Sequence, residues 1–184
     1  EVKIEPITKY DLKICGTRVN SANCKDLSVI DGVEGTVKYD PNTQTLTLKD
    51  AKLNAWDNCI LSKVDGLTIE VSGTNEVNAT NGPAICFYSA PTTITGGGTL
   101  NSNGRDGCGI YIGVNDLTIN NCIVNAKGQW GIAGNRGSDE KLFIKNATVR
   151  AEGVALSATS RKSRWKTALS RSPPEQPSMN QSRL

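Results

Sequence analysis

Apolar and polar residues alternate in short runs that return at a nearly fixed interval along most of the chain. Leu67-Thr68-Ile69, Thr92-Thr93-Ile94, Leu117-Thr118-Ile119 and Leu142-Phe143-Ile144 stand 25 residues apart, and Leu46-Thr47-Leu48 precedes them by 21. A second run follows each of these: Leu53-Asn54-Ala55, Val77-Asn78-Ala79, Leu100-Asn101-Ser102, Val124-Asn125-Ala126 and Val149-Arg150-Ala151. A third is marked by Ile60, Ile85, Ile110, Ile132 and Leu156. Period-two alternation gives each run one inward face. Gly and Asn between the runs (Ser72-Gly73-Thr74, Gly96-Gly97-Gly98, Asn103-Gly104) supply the left-handed corners that a coil needs. Three short strands per repeat predict an all-β chain, a parallel β-helix (β-solenoid) of about five coils over residues 45–156. A β-sandwich also has short strands, but it gives no reason for a fixed step.

The first and last coils of a solenoid expose strand edges and require caps. Residues 1–44 read as an N-terminal cap. Tyr10–Ile14 looks like a strand, and Thr36–Tyr39 with Thr45–Leu48 looks like a hairpin. Asp40-Pro41-Asn42-Thr43 is its turn, with Pro fixing φ and Asn accepting the left-handed region. An aromatic content of 5% suits a core stacked from Ile, Leu and Val rather than a thick globular one.

The 184 residues carry a net charge of +3, too mild for a chain-wide nucleic-acid footprint. The excess sits in 157–184, with six basic residues and one acidic one. There the repeat stops, and a basic, Ser/Pro-rich tail reads as a disordered linker. A sharper expectation is a shifted reading frame. With suitable codons Lys162–Ala168 re-reads as V-T-L-E-D-C, mirroring Leu117-Thr118-Ile119-Asn120-Asn121-Cys122. A last coil and C-terminal cap would then be missing, leaving an apolar edge and a poorly stable chain.

With His 0, Ser–His and Cys–His nucleophiles and His-ligated metals are excluded, and no cofactor or metal is expected. None of the six Cys forms C-x-x-C. Cys15 and Cys24 flank a short polar stretch and read either as a disulfide or as two small buried thiols. Cys59, Cys86, Cys108 and Cys122 lie in apolar runs and read as buried packing. No apolar run is long enough to span a membrane, so membrane insertion is not expected. The chain begins at Glu1 as a mature or trimmed one would.

The run YDLKICGTRVNSANCKDLSVIDGVEGTVKYDPNTQTLTLKDAKL (residues 10–53), followed by the repeat over 54–156, resembles secreted or surface-exposed right-handed β-helix proteins of Gram-negative gut bacteria. The resemblance implies the fold, an extracellular or cell-surface location after removal of a signal peptide not present in this chain, and carbohydrate binding. It supplies no catalytic motif.

Polysaccharide-cleaving enzymes also use parallel β-helices, so that class needs its own test. Glycoside hydrolysis needs opposed carboxylates, and uronate lyases need acidic calcium ligands beside a Lys or Arg base. The outward columns are poor in carboxylates: Thr47, Thr68, Thr93, Thr118, Phe143, and Lys49, Glu70, Thr95, Asn120, Lys145. Asp65, Asp116 and Asp139 stand just before strands, where Asp closes turns. A regular Thr array suits ice binding, but Phe143 interrupts the single column. Asn54, Asn78, Asn101 and Asn125 read as an outward amide ladder, either bonded along the axis or presented to a polysaccharide.

The edge between the second and third strands collects Trp56, Asp57, Asn81, Arg105, Asp106, Lys127, Gln129 and Trp130, with Tyr111 pointing outward nearby. Aromatic planes beside mixed donors and acceptors are what a sugar requires. The plain alternative is that Trp56 and Trp130 plug corners. The expected function is a non-catalytic extracellular glycan-binding or adhesion module with a polysaccharide or glycan as partner and no nucleic acid. The alternatives are a structural spacer or stalk of a larger surface protein, and a polysaccharide lyase or hydrolase.

Overall fold

The computed structural model describes residues 6–89, 91–135, 139–153 and 168–169. The basic tail, its frame-shift reading and Leu156 lie outside the described residues, the two-residue strand at 168–169 apart. The chain is an all-β parallel solenoid of about four turns, 62% strand. In chain order the strands are β1 (Lys9–Ile14), β2 (Thr17–Asn20), β3 (Val33–Asp40), β4 (Thr45–Ala55), β5 (Ile60–Ser62), β6 (Thr68–Ser72), β7 (Thr74–Ala79), β8 (Ile85–Phe87), β9 (Thr92–Thr95), β10 (Thr99–Ile112), β11 (Leu117–Asn120), β12 (Ile123–Gly134), β13 (Leu142–Lys145), β14 (Thr148–Gly153) and β15 (Ala168–Leu169).

Three parallel ladders form the coil walls. The first runs β4-β6-β9-β11-β13, with β15 beyond it. The second runs β4-β7-β10-β12-β14, and the third β5-β8-β10-β12. The long strands β4, β10 and β12 serve two walls each by bending. β4 turns at Asp50, whose φ of 47° puts a non-glycine residue in the left-handed region. The Asp50 carboxylate accepts the Thr74 N–H at 3.0 Å in the next coil, and this bond supports the corner. Five levels on two walls and four on the third leave about four closed turns.

Like stacks on like inside. Leu46, Ile69, Ile94 and Ile119 are level on the first wall and wholly buried. Ile60, Ile85 and Ile110 do the same on the third, with Ile132 level beyond them. Each such side chain contributes about 1.5–3 kcal/mol by leaving water. Cys59, Cys86, Cys108 and Cys122 are buried, as their apolar surroundings implied.

The cap covers the first level of all three walls. β3 pairs antiparallel with β4, placing Lys38 opposite Thr47, and β1 pairs antiparallel with β5. Tyr10 and Tyr39 meet edge to face at 5.4 Å between them. In the β3–β4 turn the left-handed residue is Gln44 (φ 53°), not Asn42. Asn42 instead donates its N–H to the Asp40 carboxylate at 2.9 Å. Among the described residues no helix is long and apolar enough to cross a membrane.

Two registers differ from the sequence expectation. On the first wall the outward column starts at Thr45 rather than Thr47, because Leu46 lies level with Ile69 and not with Leu67. On the second wall Ser102, not Leu100, lies level with Val77. The cause is a pair of inward polar residues. Asn75 is wholly buried at the level of Leu100, and Ser102 is 1% exposed. Asn75 accepts the Ala51 N–H at 3.0 Å and donates to the Ser72 and Thr99 carbonyls, both at 3.1 Å. The Ser102 hydroxyl donates to the Gly109 carbonyl at 2.7 Å. Buried polar groups so satisfied can hold core positions that apolar periodicity would leave to leucine or valine.

Candidate functional site: the grooved second wall

Moving Ser102 level with Val77 also moves the outward side chains by two residues. The second wall therefore carries two columns in place of one Asn ladder. The first is Lys52, Glu76, Asn101, Asn125, Arg150, and the second is Asn54, Asn78, Asn103, Lys127, Glu152. Side chains in each bond along the solenoid axis. In the first, Asn101 donates to Glu76 at 2.8 Å and Asn125 to Asn101 at 2.8 Å, while Arg150 reaches Asn125 at 3.5 Å. In the second, Asn78 donates to Asn54 at 3.3 Å, and Lys127 pairs with Glu152 at 3.0 Å. The axial amide bonding is as the sequence suggested, but split over two columns.

Two clefts open over these columns and share Asn78 and Asn103, so they read as one groove. One, of about 410 Å³, is lined by Glu76, Asn101, Asn125, Lys127, Arg150 and Glu152 among others. The other, of about 420 Å³, is lined by Asn54, Trp56, Thr80 and Arg105 besides the shared pair. Trp56 follows the end of β4 and is 72% exposed, so it does not plug a corner. Its carbonyl accepts the Asn81 N–H at 2.6 Å, which ties the loop after β4 to the loop after β7.

Of the nine residues expected at this edge, Trp56 and Arg105 line one cleft and Lys127 lines the other. Asp106 pairs with Arg105 at 3.1 Å and, by that hydrogen bond, raises the guanidinium's already high pKa. Asp57 stands beside Gly82 in the adjoining loop, where Asn81 joins it. Gln129, Trp130 and Tyr111 line neither cleft. Trp130 is level with Cys108 past the bend of β12, and Tyr111 is level with Cys86 on the third wall. Tyr111 packs against Tyr88 with ring centroids 5.8 Å apart. Burial pushes the Tyr88 hydroxyl up to about 12 and that of Tyr111 in the same direction.

Sequence reasoning missed Glu76, Asn103, Arg150 and Glu152 as groove residues. Their signal was the alternation itself, counted from the true inward residue Ser102. The ion pairs that line the groove are exposed, and such pairs contribute only about 0–1 kcal/mol. Lys127, Glu152 and Arg105 can therefore exchange their present partners for a ligand hydroxyl at little cost. Cys15 and Cys24, offered as a bridge, do not lie together. β2 runs back along β1 and brings Ser21 to Thr8, so Cys24 lies at the far end of β1 from Cys15. About seven residues of strand, roughly 20 Å, separate those ends, well beyond disulfide reach.

No family model, curated protein or solved structure matches this chain.

Proposed function

We propose that the chain is a non-catalytic glycan-binding module of an extracellular or cell-surface protein, of the kind found in secreted β-helix proteins. The groove of the second wall would take a linear oligosaccharide along the solenoid axis. The observation that carries the proposal is Trp56, exposed at one end of a continuous cleft floored by Asn54, Asn78 and Asn103. A tryptophan face stacks on the apolar face of a sugar ring, and a row of amides offers both donors and acceptors to its hydroxyls. The five levels of the wall span four ladder steps, about 19 Å, which suits a chain of several sugars rather than a monosaccharide. The clefts are lined by two carboxylates, Glu76 and Glu152, and Glu76 already accepts from Asn101, which leaves no opposed pair turned to a ligand. That supports binding over the acid–base chemistry of a hydrolase or lyase, which needs carboxylates directed at the ligand.

A microarray of bacterial, plant and mucin polysaccharides probed with the full chain tests this. Binding to at least one glycan class, lost in the Trp56→Ala variant and kept in Trp130→Ala, is the expected result. Retention of binding in Trp56→Ala would overturn the site. A failure of the intact chain to bind any arrayed glycan would favour the spacer reading.

A further inference from the structure

We propose that Cys15 and Cys59 form a disulfide that fastens the N-terminal cap to the first coil. The register of β1 on β5 pairs Leu12 with Ser62, Lys13 with Leu61 and Ile14 with Ile60, and the next opposed pair is Cys15 and Cys59. The Cys15 N–H donates to the Cys59 carbonyl at 2.8 Å, so the ladder continues through this pair. Directly opposed residues of an antiparallel pair have Cα atoms about 4.5–5.5 Å apart, inside the window of about 4.4–6.8 Å that a disulfide spans.

The backbone adds an independent observation. Cys15 and Gly16 are the two central residues between the opposed Ile14 and Thr17, with φ of 45° and 81°. That is the two-residue hairpin in which Asn-Gly is the favoured pair. A cysteine in the left-handed region is unusual and calls for a side-chain reason. The neighbouring sulfur of Cys59 supplies it.

The two thiols are chemically unequal. Cys15 is half-buried, and its neighbour Cys59 holds it below the ordinary thiol value. Cys59 is wholly buried and is pushed far up by Cys15 and by burial. Cys15, the only one of the two with exposed surface, is the thiol that an external disulfide can reach, so it attacks first and the wholly buried Cys59 resolves. The oxidant is a disulfide, either glutathione disulfide or the dithiol oxidase of an export compartment. The Cys15 thiolate attacks one of its sulfurs and expels a thiolate. Cys59 then loses its proton and attacks the mixed disulfide, expelling the second thiolate. Two cysteines give up two electrons and two protons, and the oxidant's disulfide becomes two thiols.

The test does not depend on glycan binding. The full chain is equilibrated in glutathione/glutathione disulfide buffer, unfolded in alkylating reagent and digested with trypsin without reduction. Cleavage at Arg18 separates Cys15 from Cys24. A crosslinked species joining Ile14–Arg18 to Leu53–Lys63 is expected. A link from Ile14–Arg18 to Val19–Lys25, or alkylation of both Cys15 and Cys59, would overturn the proposal. The oxidised chain should melt about 5–12 °C above the reduced one, since the bond closes a loop between positions 44 apart. Cys15→Asn, which suits the turn and keeps the fold, should abolish that difference, and Cys24→Ser should leave it in place. A redox-dependent melting shift that persists in Cys15→Asn would also overturn it.

Discussion

Replacing Asn75 with leucine sets two physical effects against each other at one buried position. Its inward column continues through Leu100, Val124 and Val149. A leucine would complete that apolar column, and burying it contributes about 1.5–3 kcal/mol. The same change leaves the Ala51 N–H without its side-chain acceptor and takes the Asn75 amide donor from the Ser72 and Thr99 carbonyls. A buried orphan donor costs about 2–3 kcal/mol and each carbonyl about 1. The hydrogen bonds therefore win, with a net loss of about 2–3 kcal/mol. For a chain of this size that lowers the midpoint by about 5–10 °C. Calorimetry or urea unfolding of Asn75→Leu beside the wild-type chain measures it. A variant as stable as the parent, or more so, would refute the reasoning. It would show that apolar stacking sets the register of the second wall, and the two-column groove would lose its foundation.

Gly104→Ala should destabilise by about 1–3 kcal/mol in urea unfolding, because the added carbon meets the Cys108 carbonyl backbone at the bend of β10. Gly16→Ala, which meets nothing, should cost only about 1 kcal/mol for its left-handed φ. An equal loss in both would contradict the packing argument. Alkaline pH should weaken the fold through its buried thiols. Burial raises Cys86 from 9.0 to about 12 and Cys108 to about 11, so the neutral thiols' contribution is full below about pH 9 and is lost as pH rises towards 12. Urea midpoints across pH 8–11 should fall, less steeply in Cys86→Ala; a flat or rising wild-type profile would refute this. Trp56→Ala should leave the melting temperature within about 2 °C, since a largely exposed side chain contributes little to the core. A larger drop would mean that Trp56 is structural.

The solenoid itself was legible because its inner positions are overwhelmingly Ile, Leu and Val at a constant step. The third wall was read correctly for that reason: Ile60, Ile85, Ile110 and Ile132 leave one alignment. The second wall was not, because Asn75 and Ser102 hold inward positions through hydrogen bonds that only the folded chain reveals. A reading that sends every polar residue outward must then slip by two, and it merged Asn101 with Asn78 when Asn103 is the true neighbour. Trp56, Arg105 and Lys127 were reachable from sequence since each stands within three residues of the end of a second run, at Ala55, Ser102 and Ala126. Trp130 and Tyr111 were drawn in by residue type, without the bend that carries them away. The cysteine pairing failed through chain direction: Cys24 is nearer in sequence to Cys15 than Cys59 is, but β2 carries it to the opposite end of β1.

The most direct test of the groove is an NMR titration of the labelled chain with size-fractionated oligosaccharides of whichever polysaccharide it binds on the microarray. The side-chain amides of Asn54, Asn78 and Asn103 and the Trp56 indole should shift together and saturate at one concentration. Tyr88 and Tyr111 on the third wall should stay unchanged. Shifts confined to the third wall, or to Trp130, would contradict the account.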